Sequence, residues 1–118
     1  YFITHICYGA FEKIYPALLD LPVHNFDLEM SNSGMDMLEY FRKFPFTKDI
    51  TFGVVDVHSH VIEDVETIRQ RIEKALEYLP KNQVWIDPDC GLKTRTVDEA
   101  KQKLINIQKA VDQVRAKI

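Results

Sequence analysis

Strand-like and helix-like segments alternate along this chain of 118 residues, and that alternation constrains the fold more than any other feature. Residues 1–7, YFITHIC, are β-branched and aromatic, which suits a pleated strand. Residues 10–20, AFEKIYPALLD, have helical spacing, and Pro16 kinks or interrupts that helix because it lacks an N–H. Residues 23–30, VHNFDLEM, give a second strand. SNSG then turns the chain, and Ser33 caps a helix over 34–44 with Asp36 three residues on. Residues 50–58, ITFGVVDVH, are the clearest strand. Residues 63–79 are the clearest helix: Val65, Ile68, Ile72, Ala75, Leu76 and Leu79 share one face. Residues 84–88, VWIDP, make a fourth short strand. Thr96 and Glu99 fit a capping box that opens the last helix, with Val97, Ala100, Leu104, Val111, Val114 and Ile118 as its apolar stripe.

Four βα units in succession predict an α/β fold with a parallel sheet and right-handed crossovers. They form either an open doubly wound sheet or half of a (β/α)8 barrel, which needs ~250 residues when complete. The dinucleotide fingerprint G-x-G-x-x-G is absent, and the four glycines (Gly9, Gly34, Gly53, Gly91) build no phosphate-cradling loop. Strand-like sequence starts at Tyr1, so a chain that continues on the N-terminal side is expected.

Composition excludes several function classes. The chain is 46% hydrophobic and 28% charged with a formal charge of −3, and its basic residues form no dense stripe. Nucleic acid and anionic membrane surfaces are therefore not expected partners. The apolar runs fall short of the ~18–20 residues that cross a bilayer. Two widely separated cysteines, Cys7 and Cys90, do not make a disulfide scaffold. No basic-then-apolar leader is visible, so a reducing cytoplasm is the expected location.

Chemistry collects where the strands end. The first closes on His5-Ile6-Cys7, the second on Asp27-Leu28-Glu29, the third on Asp56-Val57-His58, and the fourth on Asp87-Pro88-Asp89-Cys90. In parallel α/β folds these C-terminal ends form the functional face. Residues two apart on a strand face one side, about 6.6 Å apart along it. His5 with Cys7, and Asp27 with Glu29, therefore share a side. Cys90 follows the alternation of Val84 and Ile86 unless Pro88 bends the strand. Two thiolates, an imidazole and a carboxylate make a tetrahedral zinc set, and the soft thiolates favour zinc over magnesium or calcium.

Plainer roles compete for each of these residues. Cys7 can be a small buried hydrophobe, or it can pair with Cys90 as a disulfide. Glu29 can cap the following helix. His58 can be a satisfied core histidine. His24 and His60 read as structural or exposed, and Asp56 and Asp87 as turn anchors.

Four stretches, HICYGAF, DLEMSNSGMDML, GVVDVHSH and WIDPDCGLKTR, occur in this order and spacing. Together they resemble the C-terminal catalytic domain of cobalamin-independent methionine synthases, and the likeness runs from His5 to about Arg95 with a matching terminal helix. The Pro-Asp-Cys-Gly-Leu-Lys-Thr-Arg run after a strand is the most specific part. The resemblance implies that His5, Cys7, Glu29 and Cys90 are catalytic zinc ligands and that His58 is linked to proton transfer. It implies that residues 1–118 are the C-terminal half of a (β/α)8 barrel. The implied reaction is methyl transfer to the thiol of homocysteine, forming methionine. The chain departs from the folate-dependent pattern in two places. Ser31-Asn32-Ser33 stands where those enzymes have Ser-Arg-Ser, and His60 stands where they have Pro after His-Ser. Both departures resemble the shorter archaeal-type branch. The methyl donor is accordingly a methyl-folate or a methyl-corrinoid. Lys93 and Arg95 bind substrate carboxylates or remain solvated. A reading of another class is a zinc-binding module that catalyses nothing when isolated. Half a barrel would need its N-terminal half, or self-association, to cover its open edges.

Overall fold

A computed structural model describes residues 1–7, 13–15, 17–32 and 37–118. Four parallel strands, β1 (Ile3–Ile6), β2 (Asn25–Leu28), β3 (Asp49–Gly53) and β4 (Val84–Asp87), pair in the order β1-β2-β3-β4. Helices α1 (Leu38–Lys43), α2 (Val65–Leu76) and α3 (Val97–Arg115) follow the second, third and fourth strands, and a 3-10 helix, Ala17–Asp20, lies between β1 and β2. The sheet stays in sequence order because each crossover returns to the adjacent position. No helix of the described residues is long and apolar enough to cross a membrane.

The period-2 alternation of the strands assigns each face a task. Phe26 and Leu28 on β2, and Ile50 and Phe52 on β3, are buried on the helix side and join the core with Ile68, Ile72 and Ala75 of α2. The opposite face carries His5, Asp27, Thr51 and Trp85, which the register sets side by side across the sheet. That face is polar and partly open: Ile3 is 54% exposed and Trp85 51% exposed.

Several elements differ from the expectation. Of the helix expected over 10–20, residues 13–15 and 17–20 are described, and 17–20 form the 3-10 helix Ala17–Asp20; Pro16 lies outside the described residues. The helix expected over 34–44 runs Leu38–Lys43, and its expected cap, Ser33 with Asp36, also lies outside them. β3 stops at Gly53 rather than reaching His58. Irregular pairing persists beyond it, with Val54 N–H donating to Asp87 O and Asp89 N–H to Val55 O. The segment to Asp64 then leaves the sheet.

The α3 stripe matches the expected one in part: Val114 is buried, Val111 packs against the core and Ala100 is half-buried. Val97 is 81% exposed, and Leu104 and Ile118 also face solvent, while Lys103, Ile107, Ala110 and Val114 are buried. Lys103 takes the inward position because its charge is met there. Its Nζ donates to Glu63 Oε2 at 2.7 Å and to Val61 O at 2.5 Å. A paired buried ammonium tolerates what an unpaired one does not. The expected capping box is present: Thr96 Oγ1 accepts from Glu99 N–H, and Glu99 Oε2 accepts from Thr96 N–H.

Candidate metal centre

The site is assembled at the C-terminal strand ends by a tie between β2 and β4. Asp89 is buried, and its Oδ1 accepts the backbone N–H groups of Met30 and Ser31 at 3.1 Å each, while the Ser31 hydroxyl donates to Oδ2. This brings the end of β2, with Glu29, against the segment that carries Cys90. Gly53 permits the crossing: a Cβ there would lie 2.8 Å from Asp89 Cα and 3.1 Å from Leu28 O, both backbone atoms that cannot swing away.

His5, Cys7, Glu29 and Cys90 then offer one ligand atom each, all within 4.8 Å of one another. The alternation puts Cys7 on the side of His5 and Glu29 on the side of Asp27, and the β1–β2 register, which sets His5 against Asp27, joins them on one face. Cys90 does not continue the alternation of Val84 and Ile86, which face the helices; β4 ends at Asp87, and the chain bends at Asp89 and Cys90, just after Pro88, bringing the thiol round to the other side. Strict strand geometry would have sent Cys90 away from the site. The expected exception at Pro88 is the one that holds.

Both thiols are free, with Sγ atoms 3.8 Å apart, so the disulfide reading is corrected. Cys7 is exposed, not a buried hydrophobe. The two thiols titrate in opposite directions. The Gly91 N–H pulls the Cys90 pKa down against desolvation, helped by His5 and Cys7. Desolvation pushes Cys7 up, and neighbouring Cys90 and Glu29 add to that. The pair therefore holds one thiolate, on Cys90, more readily than two.

His5 is gripped from behind. Its Nδ1 lies 2.7 Å from Asp27 Oδ2, a contact between residues in direct register on β1 and β2. Desolvation alone would lower the His5 pKa, but the hydrogen bonds to Asp27 and Cys90 outweigh it and the net shift is upward. Asp87 faces the same cluster. Burial first, and then the charge of Asp27, push its pKa up to about 8. Two carboxyls this close do not both stay ionised at low cost. Asp87 is thus more than the turn anchor it resembles in sequence.

His58 lies in the turn after β3 and is exposed, which corrects the core-histidine reading. Its backbone N–H donates to Asp56 Oδ1 at 2.7 Å, so Asp56 does anchor a turn. The turn is held to α2 and α3 through Glu63, whose Oε1 accepts Asp56 N–H and whose Oε2 accepts Lys103. His24 accepts Phe2 N–H at Nδ1, and His60 pairs with Glu99, so both are structural. Lys93 is exposed and Arg95 half-buried. The sequence placed Asp27 and Asp89 at strand ends without giving either a role, and the Lys103–Glu63 pair was not read from it. The available signal for Asp27 was its place two residues before Glu29, on the same face.

The donor set fits zinc. Bonds of about 2.3 Å to sulfur and about 2.0–2.1 Å to nitrogen and oxygen require tetrahedral ligand separations of roughly 3.3–3.8 Å. The 3.8 Å between the two sulfurs equals the sulfur–sulfur edge of such a tetrahedron. Two thiols and an imidazole exclude a hard-cation site.

Comparison with known proteins gives the family and the fold. Residues 2–113 match the family model described as cobalamin-independent synthase, catalytic domain. The 5-methyltetrahydropteroyltriglutamate–homocysteine methyltransferase of Buchnera aphidicola subsp. Baizongia pistaciae is 40% identical over 115 residues, 98% of this chain and 15% of that protein. The enzyme of the same name from Saccharophagus degradans is 41% identical over 115 residues, again 98% of this chain and 15% of its own length. The chain thus spans about 15% of the curated relatives that it matches. A B12-independent methionine synthase from Shewanella sp. W3-18-1, solved with selenomethionine, superposes with a TM-score of 0.85 at 24% identity, over 98% of this chain and 38% of that one. That likeness fixes the fold. The relatives are named for a folate donor and the family for independence of cobalamin, so the methyl-corrinoid donor finds no support. With a family match over nearly its whole length, the chain belongs to the cobalamin-independent synthase catalytic-domain family.

Proposed function

We propose that this chain is the C-terminal half of a (β/α)8 catalytic barrel that moves a methyl group from a 5-methyltetrahydropteroylglutamate to the sulfur of homocysteine, giving methionine. His5, Cys7, Glu29 and Cys90 hold a zinc ion in that barrel. The observation that carries the proposal is the convergence of these four donors to within 4.8 Å from the ends of β1, β2 and β4. The substrates come from the names of the relatives. The barrel is supported by the outer edges of β1 and β4, which pair with no further strand among the described residues, and by the exposure of Ile3 and Trp85 on the site-bearing face. The N-terminal half covers that face. Two free thiols in contact favour a reducing compartment such as the cytoplasm.

Bound zinc supplies the charge that lowers the pKa of an incoming thiol and keeps it as the nucleophilic thiolate. This chain's own residues do the rest. Cys90, with its lowered pKa, offers a ready thiolate, and Cys7 lies beside it to give the second. In the transfer a sulfur–carbon bond forms and a nitrogen–carbon bond breaks, with the electron pair passing to the folate nitrogen. That nitrogen needs a proton, and His58, exposed in the turn after β3, gives it as the general acid.

Two measurements test this. Zinc content and homocysteine methylation are assayed for the chain alone and together with the N-terminal half. Zinc in both, with turnover only in the pair, is the expected result; zinc without turnover in either reduces the chain to a binding module. Replacing His58 with Ala should lower kcat by about 100-fold or more. Unchanged turnover would remove His58 from proton transfer.

A further inference from the structure

We propose that Asp27 is the positioning residue for His5: it fixes the imidazole proton at Nδ1 and leaves the Nε2 lone pair for the metal. The proposal rests on the zinc reading above and adds to it a residue outside the four donors.

Three observations carry it. Asp27 Oδ2 lies 2.7 Å from His5 Nδ1, and the two residues are register partners on adjacent parallel strands, so the backbone ladder itself builds the contact. A neutral imidazole has one N–H, and an ionised carboxylate can only accept. The proton must therefore sit on Nδ1, and the ring can offer only Nε2 to an ion. Finally, Asp27 Oδ1 is buried without a donor, so among the described residues the Asp27 side chain meets only His5 and the neighbouring carboxyl of Asp87. The β1–β2 ladder already spans four residue pairs, so this carboxylate is not needed to join the strands. Of the two side chains it meets, His5 is the one that belongs to the donor group. Carboxylates behind metal-bound histidines play this part generally, and removing one weakens metal binding by about 10–100-fold.

The test compares wild type, Asp27→Ala and Asp27→Asn in the full-length protein. Zinc affinity is read by competition with a chromophoric chelator, and the His5 tautomer of the metal-free protein by 15N chemical shifts at pH above 8. Asp27→Ala should bind zinc about 10–100-fold more weakly. Asp27→Asn should recover most of the loss, because its amide oxygen still accepts the Nδ1–H bond. Wild type should show the Nδ1–H tautomer, a readout that mere loss of stability does not move and that needs no variant to fold. Asp27→Ala binding within twofold of wild type overturns the proposal, as does Asp27→Asn no better than Asp27→Ala, or an Nε2–H tautomer in wild type. A wild-type protein that takes up no zinc overturns the metal reading and this proposal together. Equal tight binding by all three overturns the positioning role alone.

Discussion

Cys7 and Cys90 place their sulfurs 3.8 Å apart although 83 residues separate them in the chain. The distance is unusual for their strands, because β1 and β4 are the two outer members of the sheet. Three strand spacings in a flat sheet amount to roughly 14 Å. Curvature of the sheet, and the inward turn after Asp87, close that gap. A site of this kind belongs to a curled sheet, as in a barrel.

Removing one thiol should therefore break the site. For Cys90→Ala, zinc affinity should fall by at least about 100-fold, since the metal's binding energy is shared among four ligands. Isothermal titration or chelator competition reads the loss. Affinity within tenfold of wild type would mean that Cys90 is not a ligand.

Asp87 gives the metal-free protein a specific pH dependence. Its folded pKa is raised to about 8, while an unfolded aspartate titrates near 3.9. Between those values the unfolded state binds fewer protons, so this group erodes stability as pH rises through the window and adds nothing further above it. Asn in its place has no such proton. The melting temperature of Asp87→Asn relative to wild type should climb from pH 5 to pH 8 and then level off. With screening by residual solvent access, the difference should reach about 2 kcal/mol. A pH-independent difference would count against the shift.

Lys103 is fully buried with Glu63 as its partner. Lys103→Met should cost about 3–5 kcal/mol, because Glu63 would be left charged with only a more distant Arg71 at 3.9 Å. Urea denaturation measures this. A Lys103→Met, Glu63→Gln double variant should recover part of the loss; if it recovers none, the cost comes from packing rather than charge.

Gly53 is confined by backbone on both sides, so Gly53→Ala should destabilise the fold by about 1–3 kcal/mol and loosen zinc binding through the displaced Asp89–Cys90 segment. Thermal melts and zinc titration on one preparation separate the two effects. A variant as stable as wild type would show that the strand ends shift freely.

Strand and helix order, the α3 capping box and the shared sides of His5 with Cys7 and of Asp27 with Glu29 were legible in the sequence. Each depends on local chemistry: β-branching, a side chain reaching three residues along a helix, or the two-residue alternation of a strand. Period alone determined that His5 shares a side with Cys7, and Asp27 with Glu29. It could not determine the rest. The direction of Cys90 depends on where β4 stops and how the chain turns after Pro88. The inward side of α3 depends on Glu63, which meets the charge of Lys103 from 40 residues away. The role of Asp27 exists only because β1 and β2 pair in a register that sets it against His5. Sequence determines what a residue can do at short range; only the folded sheet decides which distant groups arrive to desolvate it, neutralise it or hold it in line.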